Sequence, residues 1–169
     1  MTAYDAAHWE TFALAQLGAS AALLGLMFVA LSINLRDIIG TRTLVNRAAE
    51  SVIGLASVLV ASTAVLIPQQ SREAVGGELV VVALVTLGVV ALLQRHLRSP
   101  AVVDHPAPPA ISIVLRRTFG LGAPLLLLVA AVALLAEAGG GLYWWPAAVV
   151  AAYASALSNA WVLLIEILR

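Results

Sequence analysis

Residues 12–35 read FALAQLGASAALLGLMFVALSINL, about two dozen positions without one ionisable side chain. As a helix rising ~1.5 Å per residue, this run is ~36 Å long, enough to cross the ~30 Å hydrocarbon core of a bilayer. Four more apolar runs follow, at 50–67, 77–94, 120–138 and 146–166. In lipid a backbone must satisfy its own hydrogen bonds, so a chain of such runs has few options. The expected fold is all-α: one domain over 1–169, a bundle of five transmembrane helices.

Charge supports the same reading. Only 11% of the residues are charged, less than half of the roughly 25% that keeps a soluble domain wet. Nine arginines, with no lysine, balance nine acidic residues, so net charge gives no warrant for a nucleic-acid partner. The chain has no cysteine, which excludes disulfides, thiolate metal sites and cysteine nucleophiles. The opening MTAYDAAHWE lacks the basic region of a signal peptide, and the run behind it exceeds a signal core of ~7–15 residues. It reads as a retained first span.

The arginines set the topology. Arg36, Arg42 and Arg47 follow the first run, Arg95, Arg98, Arg116 and Arg117 lie between the third and fourth, and Arg169 ends the chain. Only Arg72 falls in the second connector and none in the fourth. By the positive-inside rule this places the N-terminus outside and the C-terminus in the cytoplasm.

Small residues mark the expected helix contacts. Gly18, Ala22, Gly25 and Ser32, with Val29 among them, share one face of the first span. Gln16 and Ser20 share a neighbouring face and can hydrogen-bond across helices. Glu50, Gly54, Ser57, Ala61 and Ala64 line the second span, and Ala148, Ala152, Ser155, Asn159, Val162 and Glu166 the fifth. Such stripes let backbones approach closely where lipid removes the hydrophobic drive for association. Span four carries Pro124 in its first turn on this reading, after a short interfacial helix over 111–119. Gly139, Gly140 and Gly141 make a sharp turn, and 99–110, with four prolines, an extended linker.

Candidate polar sites lie at both ends. Asn34, Arg36, Glu50 and Glu166 fall at one depth and could form a cytoplasmic gate, ion site or proton acceptor, or else pair and snorkel at helix ends. Asn159 lies inside span five, as interhelical glue or as the wall of a pore between copies. On the outer side His8, Glu10, Glu78 and Glu137 could approach one another, without ligand spacing diagnostic of a metal. Trp9, Trp144 and Trp145 read as interface aromatics, and His96 and His105 as solvated connector residues. No nucleotide, hydrolase or metalloprotease motif is present, so neither a cofactor nor an enzymatic activity is expected.

The stretches SINLRDII at the end of the first span and SNAWVLLIEILR at the end of the last resemble a small family of bacterial, largely actinobacterial, integral membrane proteins. Its members are sometimes labelled hypothetical protein or modulator of a membrane protease. The resemblance covers nearly the whole chain, carries no catalytic signature, and implies a bacterial inner-membrane origin. Two functions compete. One is a homo-oligomeric channel or transport protein with Asn159, joined by Glu50 or Glu166, on an ion path. The other is an accessory protein that presents its arginine-bearing connectors to anionic lipid or a membrane-protein partner. Because Asn159 and Glu166 share one stripe and Glu50 enters on another, the sequence tilts towards the channel.

Overall fold

Each apolar run becomes one long helix. The computed structural model describes residues 2–40, 42–95 and 110–167. The helices are α1 (Glu10–Ile33), α2 (Leu35–Ile39), α3 (Arg42–Val65), α4 (Arg72–Arg95), α5 (Ala110–Leu135) and α6 (Trp145–Ile167), with no strand among the described residues. Five of them are long and apolar enough to cross a membrane.

Two of the helices begin well before their apolar runs, because hydropathy marks the apolar stretch and not the helix. α3 starts at Arg42, so Glu50 lies two turns inside it and does not begin it. α5 starts at Ala110 and absorbs the separate interfacial helix expected over 111–119. Pro124 therefore sits in the helix interior, not the first turn, and cannot donate to the carbonyl of Gly120. At the other end α5 stops at Leu135, short of 138, where Glu137 and Gly139–141 all take positive φ, from 50° to 100°. α1 stops at Ile33, where the Asn34 side chain turns back to donate to the Ala30 carbonyl at 3.0 Å.

α3, α4, α5 and α6 form a four-helix bundle in which each packs on its chain neighbour and α6 closes onto α3. α3 faces α5 across the diagonal. The inward faces are rich in alanine: Ala61, Ala83, Ala130 and Ala131 are fully buried, and Ala148 and Ala152 nearly so. Close backbone approach then supplies dispersion contacts that larger side chains would prevent.

α1 is different. It leans on α3 through one seam, Ala13, Ser20 and Met27, each seven residues from the last. Only 11% of its apolar stretch is buried in the protein, against 33–50% for the other four spans. The stripe Gly18, Ala22, Gly25, Val29 and Ser32 lies on the exposed side, and an added Cβ at either glycine would meet open space.

The chain start and the α5–α6 turn meet at one end. Gly140 N donates to Tyr4 Oη at 3.2 Å, and a Cβ on Gly141 would collide with the Ala3 carbonyl and the Tyr4 ring. Trp9 stacks edge-on against Phe12 and Tyr143, with ring centroids 5.8 and 5.4 Å apart. Following the chain from this aromatic end, α1, α4 and α6 run away from it and α3 and α5 return. Arg36, Arg47, Arg95, Arg116 and Arg117 consequently gather at the opposite, arginine-bearing end.

Candidate functional site

The most unusual chemistry is a buried charge cluster at the arginine-bearing end of the bundle core. Glu50 on α3 is 2% exposed and Arg116 on α5 is 5% exposed. Arg116 Nε donates to Glu50 Oε2 at 2.7 Å, and Nη2 lies 2.6 Å from the same oxygen. Gln94 of α4, equally buried, donates Nε2 to the other carboxylate oxygen at 2.7 Å. One carboxylate thus ties three helices together. Charges out of water need such pairing, since an isolated buried ion costs several kcal/mol (about 3–5).

Gly120 makes the room. A Cβ there would run into Glu50 Oε1 and come within 2.6 Å of Gln94 Nε2. α5 therefore crosses this cluster with its backbone, not a side chain, facing the carboxylate.

One turn away, Arg47 of α3 donates Nη1 to Asn159 Oδ1 on α6 at 3.3 Å. Asn159 is 1% exposed, inside the bundle where α6 meets α3. Ser51, fully buried, returns its hydroxyl to the Arg47 carbonyl at 3.1 Å. The stripe from Ala148 to Asn159 is consequently buried within the protomer, where α6 meets its neighbours.

The proposed grouping of Asn34, Arg36, Glu50 and Glu166 is not assembled among the described residues. Asn34 serves its own helix, Arg36 is exposed, and Glu50 goes to Arg116 and Gln94. The Glu166 side chain, His96, Arg98, His105 and Arg169 lie outside the described residues.

The acidic residues of the aromatic end also separate. His8 pairs with Asp5 at 3.0 Å, Glu78 accepts from Gln70 at 2.7 Å, Glu137 pairs with Arg72, and Glu10 is exposed at the head of α1. No group of three His, Asp or Glu side chains that could hold a metal occurs among the described residues. Trp144 fits an interface position, 42% exposed with its Nε1 donating to the Gly139 carbonyl. Trp145 does not. It is 1% exposed and plugs the core against Phe12, ring centroids 4.9 Å apart, because α6 begins at this residue with its side chain turned inward.

Between the two ends the core is apolar. Ser57, Ala61, Ala123, Pro124, Leu127, Trp145, Ala148 and Ala152 border a cavity of ≈ 10 Å³, about the room of one water molecule. Above it Leu79, Leu134 and Leu142 are fully buried.

Sequence reasoning missed Gln94, Arg116, Arg47 and Gly120. The spacing Ala83, Thr86, Val90, Gln94 carries the packed face of α4 down to Gln94, a signal available in the sequence. Arg116 was hidden by the break assumed between 119 and 120. Of the pair Gln16 and Ser20, Gln16 does reach another helix, accepting from Tyr153 Oη of α6 at 2.9 Å, while Ser20 bonds back to the Gln16 carbonyl. No family model, curated protein or solved structure matches the chain.

Proposed function

We propose that this chain is a non-catalytic, multi-pass protein of a bacterial cytoplasmic membrane, and that it acts by contact with other membrane proteins, further copies of itself included, without conducting ions. The observation that carries this reading is the fate of Asn159. Its carbonyl is spent on Arg47 inside the protomer, and the core beyond it closes on Leu79, Leu134, Leu142 and Trp145, none more than 1% exposed. A conduction path needs a ring of carbonyls, charges or a gated constriction, and the polar side chains suited to one are committed to each other.

The outward face of α1 supports the contact half of the reading, since it is the least buried of the five spans and carries Gly18, Ala22 and Gly25. Arginines gathered at one end support an N-terminus outside and a C-terminus in the cytoplasm, with that end meeting anionic lipid.

Reconstituted protein is expected to give no ion flux above empty liposomes at any voltage or pH. Flux that disappears in Asn159→Leu would overturn the reading in favour of the channel. Reporter fusions after Gly40, Gln70 and Gly140 test the orientation, with cytoplasmic signal expected only after Gly40. Mass measurement in nanodiscs tests self-association, and a single 17.5 kDa protomer at all concentrations would remove that part.

A further inference from the structure

We infer that the arginine-bearing end of the bundle core holds bound water in exchange with the aqueous phase, while the alanine-lined core beyond it is dry. Two amides carry the inference. Glu50 can only accept, so Gln94 must present its NH₂ to it, and Gln94 Oε1 is left buried with no donor. Arg47 can only donate, so Asn159 must present its oxygen, and Asn159 Nδ2 is left buried with no acceptor. Flipping either amide would set like against like at a charged group, so the orphans cannot be exchanged away. Both residues are at least nine-tenths buried.

One more group adjoins Gln94. Arg116 Nη2, paired by charge with Glu50 Oε2, has no well-directed hydrogen bond of its own. Gln94 Oε1 and Arg116 Nη2 beside the buried ion pair, and Asn159 Nδ2 on the residue bonded one turn along α3, match the bonding capacity of water, which donates two hydrogen bonds and accepts two. A metal cation does not fit, because the Arg116 guanidinium already occupies Glu50 Oε2.

The remaining buried orphans lie elsewhere, and one of them, Gln70 Oε1, is left over in the same way because Gln70 gives its NH₂ to Glu78. Ser62 Oγ, on α3 towards the aromatic end, is a hydroxyl that can rotate to the carbonyl one turn back, as Ser20, Ser51 and Thr63 do. Gln70 and Arg72 belong to the α3–α4 connector and the first turn of α4, at the membrane edge. The wet region therefore stops below the alanine-lined centre.

Because the chain has no cysteine, a single introduced thiol reports alone. Ser51→Cys and Ser62→Cys form a matched pair, both on α3 and both fully buried in the native protein. Gln94→Cys and Ala83→Cys form a second pair on α4. The full chain in nanodiscs is treated with methyl methanethiosulfonate and adducts are counted by intact mass, using only variants that elute as the wild type does. A thiolate attacks the sulfenyl sulfur of the methanethiosulfonate and expels methanesulfinate as the mixed disulfide forms, and thiolates form where water reaches. The thiols introduced at positions 51 and 94 are expected to react at least about tenfold faster than those at 62 and 83. Equal rates within both pairs, with all four positions inert, would overturn the inference and leave the non-conducting reading intact. Fast labelling at all four would show water through the whole core and overturn both.

Discussion

The two ends of the bundle core solve the same problem by different physics. In the core of the aromatic end, alanines, leucines and Trp145 fit by shape, and the directional bonds there, Gly140 to Tyr4, Gln70 to Glu78 and Arg72 to Glu137, lie at its margin. At the arginine-bearing end, Glu50 holds Arg116 and Gln94 on two other helices through oxygen atoms that accept from fixed directions. Shape-fitting is forgiving, because a side chain can turn aside. A desolvated ion pair is not, because each partner becomes a penalty once the other is gone.

The largest effect should come from breaking that pair. Glu50→Leu leaves Arg116 charged and buried, and a loss of about 3–5 kcal/mol is expected, seen as collapse of the folded peak or a steep fall in melting temperature in detergent. The double variant Glu50→Leu with Arg116→Met should recover most of it, since removing both charges removes the penalty. If the double variant is as damaged as the single, the carboxylate matters for its volume and the contrast between the ends fails.

A pair of glycines sharpens the comparison, because their crowding is alike and their neighbours are not. A Cβ at Gly120 meets a carboxylate and an amide held by charge, whereas at Gly76 it comes within 2.5 Å of Cδ2 and 2.6 Å of Cγ of Leu135, an apolar side chain that is 39% exposed. Gly120→Ala should cost about 1–3 kcal/mol, in the range of overpacked cores. Gly76→Ala should be near neutral, since Leu135 can swing out and alanine favours the helix by up to about 1 kcal/mol. Thermal unfolding of the two variants side by side reads the difference, and equal losses would mean that the charged end is as pliant as the apolar one.

These contrasts also mark what the sequence could and could not reveal. Hydropathy alone located five long helices, because apolar length is a one-dimensional property. It misplaced their ends, since nothing in Arg42–Ala49 or in 111–119 stops a helix once the backbone has left the hydrocarbon. Asn159 stood out as a polar residue inside an apolar run and Glu50 as one at the start of a run, and both are buried. Their partners did not stand out. Arg116 and Gln94 lie where a run begins and ends, so each looked like an ordinary flanking residue, and only the packing of α3, α4 and α5 brings them to one carboxylate. Trp145 misled for a related reason. Composition says that tryptophans favour the interface, but the phase of α6 decides that Trp144 faces out and Trp145 in.

The attachment of α1 is expected to be weaker than either end of the bundle. Its one cross-helix side-chain bond among the described residues runs from Tyr153 Oη to Gln16 Oε1. Hydrogen bonds between transmembrane helices average about 0.6 kcal/mol, so Tyr153→Phe should lower stability by about that amount. Both residues are only half-buried, and the released Gln16 can find another partner. A loss as large as that of Gly120→Ala would mean that α1 belongs to the core.

The smallest effect tests whether burial, and not charge, separates the two ends. Arg72 and Glu137 form an ion pair at the aromatic end with the same chemical groups as Arg116 and Glu50, but the Glu137 side chain is 58% exposed. Its oxygens keep their water when the pair opens, so little desolvation is at stake. Arg72 also holds Glu73 at 2.9 Å and keeps that partner if Glu137 is changed. Glu137→Gln should therefore cost no more than a few tenths of a kcal/mol (about 0.2–0.4) at low salt, with less remaining at high salt, where ~3 Å screening at 1 M covers an exposed contact. The matching change Glu50→Gln in the buried cluster should cost several times more and respond little to salt. Unfolding of both variants at low and high ionic strength measures the two slopes, and parallel salt dependence would show that the Glu50 cluster is solvated as freely as the surface.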